Sequence, residues 1–130
     1  MSSLKVDNIT GRGSTGFTGS VKSEGGNTTT DLQQGLCKAW VNYLTASTFV
    51  NNDSFNVASI TDEGTGQAFH NFTNAMVNAV YSYVGMCNEV SAGASLSAKS
   101  TSGCRQFSYS GTPSAVDTTE NSTVVNGDLA

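Results

Sequence analysis

The chain is poor in charge, in proline and in histidine. Charged residues make up 12% of its 130 residues, and it contains a single proline and a single histidine. Disordered chains are also polar, but their polarity usually comes from charge. Here Ser, Thr, Asn and Gly supply nearly half of the sequence. Uncharged polar residues with scattered aromatics favour strands joined by tight turns.

Basic residues are scarce too, which restricts the partners. Six Lys and Arg residues are dispersed along a chain of net charge −4. Because nucleic-acid binding needs a basic stripe or patch, we expect no nucleic-acid partner. No apolar run approaches the roughly 18 residues of a membrane span, so we expect no membrane insertion. The N-terminus lacks a signal-peptide apolar core, which predicts synthesis in a cytoplasm.

Cysteine usage argues against a disulfide framework. Cys37, Cys87 and Cys104 are odd in number, and their spacing matches neither paired half-cystines nor C-x-x-C metal knuckles. Free cysteine behaves as a small apolar group in protein interiors. We therefore expect three reduced, packed thiols and no metal site.

Short stretches of alternating apolar and polar residues recur along the chain, and none has a helical period. Their aromatic and β-branched residues fit half-buried strands. A Gly-bearing loop at 61–66 predicts a hairpin over 54–72. Residues 35–130 are therefore predicted to form an all-β domain, a β-sandwich or jelly-roll-like fold. The strands are predicted at 38–44, 54–60, 67–72, 80–84, 105–109 and 122–125.

Residues 1–34 are predicted to form an extended N-terminal arm and linker, because 10–30 are rich in Gly, Ser and Thr. Leu4, Val6 and Ile9 alternate with polar residues as in a strand. Such a strand has no core of its own and would pair with a sheet edge of another chain. Capping-box spacing at Thr30–Gln33 predicts one helical turn.

One motif in the arm matches a cofactor fingerprint by letter. Gly11, Gly13 and Gly16 have the G-x-G-x-x-G spacing of dinucleotide-binding loops. That mechanism needs a helix N-terminus directly behind the glycines to hold the pyrophosphate. No helical pattern follows, so we expect a Gly-rich arm and no cofactor.

Candidate catalytic residues are few. His70 alternates with Ala68 and Phe72 on an apolar face, which predicts a packed histidine, although a Ser or Cys nucleophile beside it in space stays open. Asp62 and Glu63 are adjacent in the predicted turn and are expected to be solvated. We predict no enzyme and no catalytic residue.

The aromatic residues of the strands allow two interpretations. They could form a sugar-binding platform, or they could belong to the core and to subunit interfaces, which is the more common role in so small a domain. We expect the second. The residues concerned are Trp40, Tyr43, Tyr81, Tyr83 and Tyr109.

Five segments of the chain carry a resemblance to a known family: Leu4–Ile9, Gly35–Tyr43, Ser54–Gly66, Asn71–Met76 and Val125–Ala130. Together they resemble the C-terminal β domain of tail-fibre-like, receptor-binding virion proteins from marine and other aquatic tailed bacteriophages. The resemblance covers about residues 35–130 and the N-terminal hexad. The family tends to have an apolar residue at the position of His70.

The resemblance implies a structural protein of the virion surface, made in the host bacterial cytoplasm. It implies a short tail fibre or fibre-like appendage, a homotrimer that attaches to a host cell-surface glycan or protein. Leu4, Val6 and Ile9 would anchor it to other virion proteins, and no receptor-binding residue is predicted. The alternatives are a capsid decoration or head-fibre protein and, less favoured, a glycan-cleaving appendage.

Overall fold

A computed structural model describes residues 20–22, 29–31, 35–88, 93–110 and 114–130. The chain divides into two compact units, Met1–Leu36 and Cys37–Ala130. In the first unit, strands β1 (Ser20–Lys22) and β2 (Thr29–Asp31) pair antiparallel. Thr30 and Asp31 thus lie in a strand where a helical turn was predicted; the rest of that predicted turn is outside the described residues.

The second unit is built from strands. Its described residues form two antiparallel sheets that pack together, so the predicted all-β sandwich is confirmed. The strands are, in chain order, β3 (Ala39–Leu44), β4 (Val50–Phe55), β5 (Val57–Gly64), β6 (Gln67–Phe72), β7 (Ser82–Cys87), β8 (Gly93–Ser100), β9 (Gly103–Ser110), β10 (Ser114–Ala115) and β11 (Asn121–Asn126).

The two sheets draw on strands that are distant in sequence. The first sheet has the order β4-β3-β11-β7. The second has the order β10-β9-β6-β5, and β8 also pairs with β9. The C-terminal strand β11 therefore lies in the middle of the first sheet, between β3 and β7.

Alternation along the strands decides which side chains enter the core. In β3 the buried positions are Ala39, Val41 and Tyr43, and their neighbours are half-buried. β6 buries every second residue in the same way. Successive side chains of a strand point to opposite faces, so these residues form the inner faces of the two sheets. Two apolar clusters result, one around Phe72, Met76 and Tyr81, the other around Val41 and Tyr43.

The predicted strand at 54–60 is wrong as a single element. It is broken at Asn56, which has a positive φ of 56° and ends β4. Asn56 tolerates this conformation because its side-chain amide donates to Lys38 O at 2.9 Å and Asn74 O at 3.1 Å. The chain then crosses to the second sheet and begins β5.

The hairpin predicted over residues 54–72 forms between β5 and β6, over residues 57–72, and its turn is tighter than predicted. Strand β5 continues through the supposed loop to Gly64, and only Thr65 and Gly66 form the turn to β6. Gly66 has φ 65°, a conformation that favours glycine. Asp62 and Glu63 accordingly lie on a strand and not in a turn.

Candidate functional site

The predicted anchoring residues Leu4, Val6 and Ile9 lie outside the described residues, and so do Gly11, Gly13 and Gly16. Two features of the second unit are candidates for function. One is a groove at the end of the sandwich, and the other is a layer of polar side chains between the sheets.

The groove lies at the sandwich end that carries the β5–β6 turn, and we call it the loop groove. Its volume is about 630 Å³, within the range of ligand-binding clefts. The β3–β4 connection and the chain between β10 and β11 complete its walls. Binding residues concentrate in such connections on a rigid sandwich. The lining residues are Thr45, Ser47, Thr48, Phe49, Asp62, Gly64, Thr65 and Asp117.

Hydrogen bonds across the two sheets fix the walls of the loop groove. The backbone amides of Thr45 and Ala46 both donate to Thr118 O, at 2.9 and 3.1 Å. The Thr118 amide in turn donates to Thr45 Oγ1 at 2.8 Å. On the opposite wall, Gly66 N donates to Asp117 Oδ1 at 2.7 Å. The loops therefore form a preorganised surface.

Ser47 is strained within this wall. Its φ of 67° is left-handed, which costs a non-glycine residue about 1 kcal/mol or more. Such strain persists only where the surroundings hold it, and it concentrates at ligand sites and tight turns. Together with its place on the groove, this conformation makes Ser47 a candidate ligand contact.

Two carboxylates face the loop groove, and only one was considered in the sequence. Asp62 Oδ1 accepts from Gly64 N at 2.8 Å, and Asp117 Oδ1 accepts from Gly66 N. Each retains a second oxygen as an acceptor. Glu63, by contrast, points away and forms an ion pair with Arg105 of β9. Asp117 belongs to no motif, so only the fold could bring it to Asp62.

The groove can bind a ligand by hydrogen bonds and one ring contact. Hydroxyls of Ser47, Thr48 and Thr65 stand beside the carboxylates. Phe49 is half-buried against the cluster of Val41 and Tyr43, which holds its ring in place. Hydroxyl, carboxylate and aromatic groups on a rigid surface suit a polyhydroxylated ligand such as a glycan. The described lining residues include two carboxylates and no His, Cys or Lys.

The second feature is a layer of polar side chains between the sheets, which we call the buried polar layer. The second sheet contributes three of its members and the first sheet the others. All are at most 2% exposed. Its members are His70, Gln106, Ser108, Tyr43, Asn121 and Thr123.

Hydrogen bonds join the two sheets through this layer. Gln106 Oε1 accepts from the hydroxyl of Tyr83 at 2.6 Å and from that of Thr123. Ser108 Oγ donates to Asn121 Oδ1 at 2.8 Å. Gly85 is necessary for the first contact, because a Cβ there would come within 2.7 Å of Gln106 Oε1.

The layer also contains polar atoms that have no hydrogen-bonding partner among the described residues. They include the ring Nε2 of His70 and the side-chain amide nitrogens of Gln106 and Asn121. Burial raises the pKa of the Tyr43 hydroxyl, and its interaction with the Thr123 hydroxyl offsets only part of that rise. This part of the sandwich core is therefore polar as well as apolar.

His70 is packed in this layer, as predicted. It is 1% exposed, and its ring meets that of Tyr43 edge-to-face at 4.8 Å between centroids. Burial lowers the pKa of His70 from 6.5 to about 4. The histidine is therefore neutral at physiological pH.

A cysteine does lie beside His70, the arrangement that the sequence left open. Cys104 Sγ is 3.9 Å from His70 Nδ1. Burial raises the pKa of the Cys104 thiol to about 12, however, and depresses that of the imidazole. An activated pair needs the opposite shifts, a stabilised thiolate beside a basic imidazole. Cys104 and His70 therefore form a structural contact.

The predicted aromatic residues divide between the core and the surface. Tyr43 and Tyr81 are buried, as expected for core residues, and Tyr81 donates to Gly103 O at 2.8 Å. Trp40 is half-buried on the outer face of the first sheet. Tyr109 stacks on Phe107 with 5.8 Å between the ring centroids.

None of the three cysteines forms a disulfide. In the part of the chain that the structure describes, no three His, Cys, Asp or Glu side chains cluster as metal ligands would. No helix among the described residues is long and apolar enough to cross a membrane.

The comparisons with known proteins gave no match. No protein-family model matches the chain, and neither a curated protein nor a solved structure is similar to it. The geometry of the sandwich and the sequence resemblance are therefore the two sources for a functional proposal.

Proposed function

We propose that this chain is a structural virion protein of a tailed phage, a short tail fibre or similar surface appendage. The loop groove would contact a host cell-surface glycan or protein, and residues 1–30 would attach the chain to the particle and to its other copies as a trimer. The observation that carries this proposal is the preorganised groove of hydroxyls and carboxylates at the loop end of an all-β sandwich.

The binding part of the proposal is testable by filling the groove. Thr48 is exposed in the β3–β4 connection, and Thr48→Arg would place a long side chain across the opening. Thr73→Arg is the matched control, because Thr73 is also exposed and lies near Asn56, at the opposite end of β5 and β6. The probe is an array of bacterial lipopolysaccharide and capsular glycans, read with the labelled full chain.

We expect Thr48→Arg to lower glycan binding by about tenfold or more, which corresponds to 1.4 kcal/mol. Thr73→Arg should bind as the parent does. Equal binding by both variants would overturn the role of the groove.

The anchoring part needs a particle. Deleting residues 1–30 should abolish incorporation into particles. A truncated chain that still loads at full occupancy would contradict the anchor. Gold labelling of the intact protein on a purified particle distinguishes a tail appendage from a capsid decoration protein.

One observation favours the enzymatic alternative enough to require its own test. Asp62 and Asp117 line the same groove, and a pair of carboxylates flanking the scissile bond is what most glycoside hydrolases use. Each already accepts a backbone amide, which suits a structural role. Release of reducing ends from the bound glycan, absent in Asp62→Asn, would establish the glycan-cleaving function instead.

A further inference from the structure

The charged side chains of the second unit are divided unevenly between its two ends. Asp62 and Asp117 line the loop groove, and none of the described lining residues is Lys, Arg or His. The sequence of this unit contains three lysines and arginines, which are Lys38, Lys99 and Arg105. The positions of these three side chains decide whether the charge of the groove is balanced.

Both lysines lie at the end of the sandwich opposite to the loop groove. Lys38 directly precedes β3, whose other end leads into the groove residue Thr45, and Lys38 O accepts from the Asn56 side chain at 2.9 Å. Lys99 lies beside the β8–β9 turn, where β9 begins opposite the last residues of β6, whereas β6 begins at the groove. Its Nζ donates to Tyr81 O at 3.1 Å. Neither lysine therefore balances the groove carboxylates.

Arg105 is the third basic side chain, and its charge is paired. It lies on β9 and forms an ion pair with Glu63, which follows Asp62 on β5. The two charges of this ion pair cancel. The two carboxylates of the loop groove are therefore left without a basic side chain of the second unit to balance them.

Each groove carboxylate is held in a fixed orientation by a backbone amide. Asp62 Oδ1 accepts from Gly64 N at 2.8 Å, and Asp117 Oδ1 accepts from Gly66 N at 2.7 Å. The second oxygen of each carboxylate can accept from a ligand. Because charges of one sign in a cleft concentrate the electrostatic field there, the groove attracts a cation and repels an anion.

The other lining residues suit a cation that is part of a sugar. An ammonium group donates charge-assisted hydrogen bonds to carboxylates, and it is attracted to the face of an aromatic ring such as that of Phe49. The hydroxyls of Ser47, Thr48 and Thr65 can donate to sugar hydroxyls and accept from them. A lysine side chain of a protein ligand has the ammonium group but no hydroxyl, so it would use only part of this lining.

We propose that the loop groove selects a glycan with free amino groups and rejects acidic glycans. This selectivity rests on the proposed binding role of the groove and gives that role a class of ligand. Protonated amino sugars neutralise the two carboxylates. N-acetylated sugars carry no charge and gain less from the groove, and uronic acids bring a further negative charge into it.

Three hexasaccharides test the selectivity on the full chain by isothermal titration calorimetry. They are the hexamers of glucosamine, of N-acetylglucosamine and of galacturonic acid. The titrations are run at about pH 6, where an amine of this kind is protonated. We expect the glucosamine hexamer to bind about tenfold tighter or more than the N-acetylated one, and the acidic hexamer to bind most weakly. Equal affinities for the three hexamers would overturn the selectivity.

Matched variants locate the charge that selects the ligand. Asp62→Asn and Asp117→Asn each remove one charge and keep an oxygen that can accept the backbone amide. Asp53→Asn is the control, because Asp53 lies on β4 outside the groove lining and its Oδ1 likewise accepts from Ser54 N at 2.8 Å. Each groove variant should bind the glucosamine hexamer about three- to fivefold more weakly, and the control should bind it as the parent does. An equal loss in all three variants would mean a general attraction to an acidic protein and would contradict the proposal.

Salt and a basic peptide separate charge from sugar recognition. Raising the salt concentration from about 0.05 M to about 0.5 M should weaken binding of the glucosamine hexamer by the parent more than by the double variant Asp62→Asn/Asp117→Asn. A lysine hexapeptide should bind more weakly than the glucosamine hexamer, and equal affinity would refute the assignment to a sugar. If no hexasaccharide binds, the selectivity fails, whereas binding of another glycan that Thr48→Arg removes would still support the groove as a binding site.

Discussion

Acidification should destabilise this protein through His70. The ring is buried and neutral, and its pKa falls from 6.5 to about 4 on folding. Between these values the unfolded chain binds a proton that the native chain does not, so stability falls as the pH is lowered from 6.5 towards 4. Each pKa unit corresponds to 1.36 kcal/mol, which gives a loss of about 3 kcal/mol over this window. At pH 7 the His70 ring is neutral in both the folded and the unfolded state, so this loss of stability is absent.

The physical cause is burial without a counter-ion. The ring contacts Tyr43 and Cys104, neither of which is charged at this pH, and burial is the cause of the shift. A proton on His70 would therefore be a charge in an uncompensated site, which is the reason that its pKa is depressed.

The assay is urea unfolding at several pH values between 4 and 7, on the parent and on His70→Phe. Carboxylates titrate in the same window in both proteins, so the difference between the two curves isolates the histidine. We expect the parent to lose about 3 kcal/mol more than His70→Phe between pH 6.5 and 4. Parallel curves would refute the argument, because they would show a histidine that gains its proton equally in both states.

Four further outcomes follow from the same packing. His70→Ala should cost a few kcal/mol through its cavity and leave glycan binding intact; binding lost at an unchanged melting temperature would make His70 a site residue. Gly66→Ala should cost about 2 kcal/mol or more of stability, because the added Cβ would lie 2.7 Å from Ser108 O and Val116 N and because φ is 65° there. Gly35→Ala, which has open space around it, is the control and should be nearly neutral; thermal melting measures both. Tyr83→Phe should cost about 1 kcal/mol in urea unfolding, because its hydroxyl bonds Gln106, and no change would discount that bond. Alkylation without reductant should add three groups to the denatured chain but spare the buried Cys104 in the native one, and a single adduct after denaturation would reveal a disulfide.

Period-2 alternation predicted the strands where side chains alternate strongly in character. Residues 38–44 and 67–72 are such cases, and each became a strand with one buried face. The same rule placed His70 in the core beside Ala68 and Phe72. Local pattern suffices there because the inner face of a sandwich must be filled from alternate positions.

Other elements depend on neighbours that a sequence does not display. β8 (Gly93–Ser100) consists largely of Ala, Ser and Gly, and it pairs along β9 although its own propensity for strands is low. Asn56 divides one predicted strand into two because its side chain bonds the backbone at Lys38 and Asn74. The residues in these contacts are far apart in sequence, so no local pattern predicts the contacts.

The loop groove could not be predicted from the sequence, for the same reason. Asp62 was a candidate because Glu63 follows it. The two side chains point to opposite faces of β5, however, and Glu63 forms an ion pair with Arg105. The carboxylate that joins Asp62 is Asp117, which is brought to the groove by a backbone amide of the β5–β6 turn. Asp62 and Asp117 come together only when the two sheets have packed, so no motif spacing in the sequence indicates the pair.

The polarity of this sandwich connects its stability to its proposed assembly. Between the sheets, His70, Gln106 and Asn121 are among the buried residues, so folding buries less apolar surface there than it would in an apolar core. On the outer face, Trp40 and Phe55 lie where a monomer gains little from them. A small domain whose core is partly polar and whose outer face is partly apolar gains stability from association, because association buries apolar surface that folding leaves exposed.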